Sequence, residues 1–327
     1  MIEAFLSFKK SLIKLASKKK LLSGLGTKID RAEPFIRSLI YVSGWSSIIF
    51  VIAIFFFIFK EAAPILIKVD WGSFFFENRW IPNPAEGNEP SYGAAGMLYG
   101  TLAITVVSMF IAMPLGLSAA IYISEFASPR VKETLKILIE FLAAVPSIIW
   151  GFIGLVIMGP LMQKVLGIEV GVNLLNASIV VALMAVPLIV SISEDALRAV
   201  PDSYREAALA LGASRWEVVY RVLFPAAKSG LLAACMLGVG RAVGETMAVW
   251  MASGSTENIP DNLFNPALLL DRVKALTATI ASEMPDTAHG DDHYRMLFVI
   301  GIVLLLISVF INVVSDIVIK GVKNKNQ

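Results

Sequence analysis

Cysteine, histidine and charge are all scarce in this chain. Its single cysteine, Cys235, excludes an intrachain disulfide and reads as a small apolar packing residue. Only 17% of the 327 residues are charged, whereas 57% are hydrophobic and mean hydropathy is +0.73. That balance excludes an ordinary soluble protein of this length. No G-x-x-x-x-G-K-[ST] phosphate loop occurs, and "GVGRAVG" at 238–244 has a membrane-helix pattern rather than that of a strand-to-helix nucleotide turn. The chain is therefore not expected to be an enzyme that hydrolyses ATP. His289 and His293 in "HGDDHYR", with Asp291 and Asp292 between them, have metal-like spacing, but a polar loop with two histidines is the simpler reading and no metal site is assigned.

What the sequence does have is apolar length. Six runs are long enough to cross about 30 Å of hydrocarbon: Ser38–Phe59, Met97–Ile123, Leu138–Met158, Ala177–Ile192, Leu231–Ala252 and Met296–Ile319. The fold class is all-α, a polytopic membrane protein with six transmembrane helices. Lysine and arginine set its orientation. The segment to Arg37, the Glu125–Lys136 region, the Ser193–Lys228 loop and the tail hold 20 of the 28. The opposite side has Lys60, Lys68, Arg79, Lys164, Arg272, Lys274 and Arg295. The positive-inside rule then places both termini in the cytoplasm.

The organisation read from these runs is a basic amphipathic cytoplasmic segment over 1–37, a first span with an outer loop over 38–96, five spans over 97–320 and a short cytoplasmic tail over 321–327. The first segment, with "FKKSLIKLASKKK", is no cleavable signal peptide; it reads as an interfacial helix for anionic lipid or as a solvated basic tail. Two outer loops, Lys60–Gly96 and Ser253–Arg295, are long and rich in Pro, Asn, Asp and Glu. They serve as docking surfaces for an extracytoplasmic partner or simply cap the helices. Gly240 with Gly244, and Gly96 with Gly100, are small-xxx-small pairs that suit close helix approach. Pro114, Pro146 and Pro187 lie inside spans and fit kinks.

The inner loop 193–228, "SEDALRAVPDSYREAALALGASRWEVVYRVLFPAA", parses as two helices. Pro201 and Asp202 start the first and Gly212 fits the left-handed position beyond its end. Ser214 and Glu217 make a capping box for the second, which is expected to stop before Pro225 with Trp216, Val219, Val222 and Leu223 on one side. A DNA-reading helix-turn-helix is excluded: there is no basic recognition face, and both ends enter the bilayer. The small face of Ala207, Ala208 and Gly212 suits helix-in-groove docking on a soluble partner.

Within span five, "GRAVGETMAVW" puts Arg241 and Glu245 four residues apart near the bilayer midplane. An arginine there costs at least about 2.5 kcal/mol on insertion scales, so it needs a partner or a wet path. At i, i+4 on a continuous helix the two form a structural salt bridge or, alternatively, a site for an oxyanion. In the second case the guanidinium fork takes two oxygens, and Glu245 accepts the proton that phosphate keeps and sulfate lacks.

Residues Glu206, Ala207, Ala208, Gly212 and Pro225 match, at the expected spacing, the loop signature of ABC-importer permeases, which this segment resembles. Val222 and Phe224 depart mildly from it. "GRAVGETMAV", the tail "HYRMLFVIGIVLLLISVFINVV" and the leading span together look like phosphate-uptake permeases of the PstC type, over most of Ser38–Lys320. The resemblance implies a type I ABC-importer permease fold in a bacterial cytoplasmic membrane. It also implies a homologous second permease, two ATPase subunits docked at the coupling loop, an extracytoplasmic phosphate-binding protein, and ATP and Mg on the ATPases rather than on this chain. Alternatives are an ABC permease for sulfate or molybdate and an ion-driven secondary transporter, the latter disfavoured by the docking loop and by the lack of an inverted repeat.

Overall fold

The computed structural model describes residues 2–84, 89–257, 259 and 266–325, apart from the side chains of 2–33, 266, 320 and 322–325. The amphipathic reading of the first segment rests on those side chains and lies outside the described residues. The chain divides into two compact units, Met1–Lys60 and Glu61–Gln327. A single helix, α1 (Ile2–Leu66), makes up the first unit and runs on to Leu66. Its apolar stretch Pro34–Leu66 is long enough to span a membrane.

The second unit continues with α2 (Trp71–Phe76) and a two-residue hairpin in which β1 (Trp80–Ile81) pairs antiparallel with β2 (Ser91–Tyr92). Then come α3 (Ala95–Ile121), a π-helical turn at Tyr122–Phe126, α4 (Pro129–Ala144) and α5 (Ser147–Ile153). A second π-turn, Gly154–Met158, leads into α6 (Gly159–Leu166). After α7 (Leu174–Arg198) follow α8 (Asp202–Ala210), α9 (Arg215–Glu217), a third π-turn at Val218–Leu223 and α10 (Phe224–Ala226). The chain ends through α11 (Lys228–Val243), α12 (Met247–Ala252), α13 (Leu276–Glu283) and α14 (Asp292–Lys325).

Among the described residues five straight helical stretches can span: Pro34–Leu66, Ala95–Phe126, Ser147–Leu166, Leu174–Arg198 and Asp292–Ile319. A sixth is bent, with Arg215–Ala226 meeting Lys228–Val243 at 75°. The six-span reading thus holds in number if the bent pair counts as one span, but two boundaries need correction. Span three begins at Ser147, not Leu138, because Pro146 ends the preceding helix at Val145 and α4 is a separate helix with no buried residue. Span five does not run unbroken to Ala252, because the helix stops at Val243 and α12 starts afresh at Met247.

The core forms around α7, the most buried of the spans. Ala177, Val181, Ala185 and Ile189 of α7 pack with Ile104, Met109 and Ala112 of α3, with Ala242 and Val249 flanking the break, and with Val273, Ala275 and Ala278 around the start of α13. Small residues let backbones meet where apolar tails alone would not draw them together. A Cβ on Gly116 would lie 2.7 Å from Ile189 Cγ2, and one on Gly100 would overlap the Lys274 carbonyl oxygen. Of the Gly96/Gly100 pair, Gly100 therefore does mark a close approach. Gly240 and Gly244 do not: around Gly240 a Cβ would meet nothing, and around Gly244 only its own helix.

Candidate functional site

Arg241 lies thirteen residues into α11, about 20 Å from its Lys228 end at 1.5 Å per residue. Two residues later the helix closes. The Gly244 N–H bonds to Gly240 O at 3.3 Å, and the Glu245 N–H bonds to Ala242 O at 3.3 Å. Glu245 then turns back on its own chain: Oε1 accepts the N–H groups of Thr246 (3.2 Å) and Ala248 (3.5 Å), capping α12. The Glu245 carbonyl freed by the break takes the Thr277 hydroxyl of α13 at 2.8 Å. A helix interrupted between the two residues removes the i, i+4 geometry, and the Arg241–Glu245 salt bridge, one of the two alternatives read from the sequence, is absent among the described residues. Glu245 is half-buried, with Oε2 making no hydrogen bond there.

Arg241 instead lines a cavity of about 260 Å³ between α4, α7 and α11, with Lys136, Glu140, Ser191 and Glu194 also on its wall. Among the described residues its guanidinium has no hydrogen bond or ion pair. Arg241 is exposed overall, and its five N–H donors, unshared among the described residues, are open to water or an anion.

At the other end of the cavity Glu194 is only 2% exposed, and its carboxylate meets three cations. They are Lys132 at 3.2 Å, Lys136 at 2.7 Å and Arg198 at 2.9 Å. One carboxylate so placed pins α4 against α7, and it could not stay charged and buried without them. Sequence reasoning counted these cations only toward orientation. The signal for the cluster was an acid at the end of an apolar run facing lysines spaced i, i+4 on another helix.

The loop over 193–228 forms much as its residues dictate. Gly212, at φ +83°, ends α8 in a Schellman turn: its N–H bonds to Leu209 O at 2.9 Å and the Ala213 N–H to Ala208 O at 3.1 Å. The capping box is present, with the Ser214 N–H on Glu217 Oε2 at 2.9 Å and the Glu217 N–H on Ser214 Oγ at 3.3 Å. The second helix does not stop before Pro225, however, but runs to Ala226 through the π-turn Val218–Leu223. That wide turn absorbs the missing proline donor and resets the facing. Val218, Val219 and Leu223 are buried while Trp216 is exposed beside Phe126 and Tyr220, so the expected apolar side including Trp216 is corrected.

Glu206, Ala207, Gly212 and Pro225 are exposed and Ala208 is half-buried. Beside them Leu211 protrudes, 90% exposed, with Tyr204 and Leu209 also uncovered. What sequence reasoning missed is the residue that holds this surface in place. Arg205 donates Nη2 to Glu125 Oε1 (3.0 Å) and Leu197 O (2.9 Å), and Nη1 to Val200 O (2.8 Å) and Asp202 (3.1 Å). Its Nε reaches Glu125 Oε2 at 3.3 Å, which makes the pair bidentate. The hydrogen bond to Glu125 raises the Arg205 pKa further, so the charge is permanent.

On the opposite face buried Lys274 ties together two parts of the second long loop, with Nζ 2.8 Å from Glu257 and 2.7 Å from Glu283. Glu283 also accepts from Trp80 Nε1 at 2.8 Å and meets His293 Nε2 at 2.9 Å. His289 stacks edge-on against Tyr294 instead, so the two histidines do not converge. For Lys274 burial pulls the pKa down, but the two carboxylates overcome it and the net shift is upward. For Glu283 burial pushes up, and hydrogen bonds from Lys274 and Trp80 overcome it to give a net lowering. A depressed carboxylate stabilises the fold above its unfolded pKa and is lost as pH falls through its folded one; a raised lysine acts below its unfolded pKa and is lost as pH rises through its folded one. The clamp is therefore expected to hold from mildly acid to mildly alkaline pH and to fail at either extreme. Lys274→Met leaves two facing carboxylates and is expected to cost about 3–5 kcal/mol of local stability, read as faster hydrogen exchange of the α13 amides. Unchanged exchange would reject the clamp.

With this geometry in hand, similarity to known proteins can be stated. A family model described as "Binding-protein-dependent transport system inner membrane component" matches residues 112–324. The chain is 38% identical over 226 residues, 69% of its length and 71% of the relative's, to the probable ABC transporter permease protein YqgH of Bacillus subtilis. It is 34% identical over 272 residues, 77% of its length and 82% of the relative's, to the phosphate transport system permease protein PstC of Haemophilus influenzae. Among solved structures, a chain of the inward-facing MetNI methionine ABC transporter is similar with TM-score 0.54 and 22% identity, over 69% of this chain and 94% of that one. A chain of a bacterial alginate ABC transporter complex reaches TM-score 0.58 at 13% identity, over 85% and 92%. These last two are likenesses of fold.

Proposed function

Because the chain belongs to the family of binding-protein-dependent transport system inner membrane components, a multi-pass ABC-importer permease, we propose that its cargo is inorganic phosphate. It would act in a heteromeric importer with a second, homologous permease, ATPase subunits docked on the exposed α8 surface and an extracytoplasmic phosphate-binding protein. ATP and Mg are bound and turned over on the ATPases. The α8 side, rich in lysine and arginine, faces the cytoplasm together with both termini.

The observation that carries the reading is Arg241, unpaired among the described residues and on the wall of the cavity between the spans. A guanidinium in that position takes two oxygens of a tetrahedral anion. Glu245, which follows the helix break and does not line that cavity in the single chain, would offer Oε2 as an acceptor for the proton that phosphate retains near neutral pH and sulfate does not. Closure of the ATPases draws the α8 surfaces of the two permeases together and rocks the spans around Arg241 and Glu245. Glu206, Ala207, Ala208, Gly212 and Pro225 form the contact. Relatives named as phosphate permeases support the choice of anion, such as those of Haemophilus influenzae and Pasteurella multocida at 34% and 32% identity.

A second reading, import of another oxyanion such as sulfate or molybdate, rests on the Bacillus subtilis relative, which shares 38% identity and whose name carries no substrate. The test is ATP-driven uptake of labelled phosphate by vesicles holding the full assembly, with sulfate and molybdate as competitors. Phosphate uptake that a tenfold excess of either leaves intact is the expected result. Equal competition, or no phosphate uptake, rejects phosphate as the cargo.

A further inference from the structure

The cavity that begins at Arg241 does not end there, and its far end is chemically suited to the same ion. Along α7 its wall runs from Met184 to Glu194, ten residues or about 15 Å. That path leads from the depth of Arg241 towards the α8 end of the spans. An anion leaving Arg241 must cover this distance beside Ile123, Ile139 and Pro187, in surroundings that screen charge poorly. Lys136 is the cation on the cavity wall near the Glu194 end.

Three cations on the single Glu194 carboxylate leave a surplus of two positive charges, reduced to one by Glu140 on the same wall. The Lys136 ammonium gives one N–H to Glu194 and has two more. Its side chain is 37% exposed, the most open of the two lysines on that carboxylate.

We infer that this cavity is the inner half of the ion path and that Lys136 is a second, weak oxyanion station between Arg241 and the α8 side. The inference rests on the proposed role of Arg241. Glu194 supplies the weakness. Because it already holds Lys136, an incoming phosphate shares the ammonium instead of capturing it. A path conducts when each site binds strongly enough to be entered and weakly enough to be left. An unopposed lysine there would trap the anion, and a neutral wall would leave it stranded at Arg241.

The test uses the whole assembly in proteoliposomes. Lys136→Gln is expected to lower phosphate moved per ATP by roughly tenfold at saturating outside phosphate, with apparent KM nearly unchanged, because a late station affects turnover more than capture. Lys136→Arg should restore most of it, since a structural role in holding Glu194 is already shared by Lys132 and Arg198. A second readout places a cysteine at Ser191, on the cavity wall, in a Cys235→Ser background. Small anionic thiol reagents added from the α8 side should react faster than cationic ones of the same size. Adding Lys136→Gln should shrink that preference, and phosphate should slow both reagents. Native turnover in Lys136→Gln together with an unchanged reagent preference overturns the station. If that occurs while Arg241→Gln blocks uptake, the phosphate path through Arg241 stands without it. If both variants transport normally, the path itself is misplaced.

Discussion

Arg241→Gln is expected to cut ATP-driven phosphate uptake by at least thirtyfold while the subunits still assemble and hydrolyse ATP. A glutamine keeps the length and some polarity of the side chain but loses the charge and the paired donors. Arg241 is exposed in the single chain, so the loss arises in the assembled path, where the anion and neighbouring spans close over it. Removing one member of a charged contact there costs about 2–5 kcal/mol, or roughly 30-fold to several thousand-fold. The broken helix makes the outcome interpretable. Had Arg241 been salt-bridged to Glu245, its loss would strand a carboxylate and destabilise the fold by itself. The two are not paired, and Glu245 is held by the Thr246 and Ala248 N–H groups whatever stands at 241. Arg241→Lys should retain partial transport, because a point charge attracts the anion without the two-pronged fit. Full uptake by Arg241→Gln would remove the residue from the path and leave the phosphate assignment to similarity alone.

The second large effect is expected at Arg205, far from any ion path. Arg205→Met should lower phosphate uptake per ATP by more than tenfold with ATPase activity preserved, an uncoupled transporter. The methionine keeps the apolar stem but removes all five hydrogen bonds. Glu125 is then left without its cation and the Leu197 and Val200 carbonyls without their donor. Loss of one partner from a largely buried pair costs about 3–5 kcal/mol, and here that cost falls on the contacts that fix α8 to the end of α7 and the turn after α3. The docking surface would persist, but a push on it would no longer reach the spans. Arg205→Lys should rescue poorly, for want of the fork, and Glu125→Gln should be milder because its amide oxygen still accepts. Coupled transport in Arg205→Met would show that α8 transmits force without this anchor.

Much of this protein was legible in its sequence where the deciding interactions are local or concern the chain as a whole. Apolar run length fixes the membrane class, because an unpaired peptide group is intolerable in hydrocarbon and only a helix of sufficient length satisfies every one. Gly212 ends α8 because a left-handed residue disfavours a side chain, and Ser214 with Glu217 caps the next helix through atoms three residues apart. None of these needs a distant neighbour. The tertiary structure decided the rest. Whether Arg241 and Glu245 share a helix depended on Gly244 yielding to a break that Thr277, thirty-two residues further on, satisfies. Which lysines matter depended on α4 lying against α7, so that Lys132 and Lys136 meet a glutamate far along the chain. Arg205 and Glu125 are 80 residues apart and read singly as ordinary loop charges. A buried charge is stable only beside its counterpart, and which counterpart is near is set by helix packing, which no local pattern encodes.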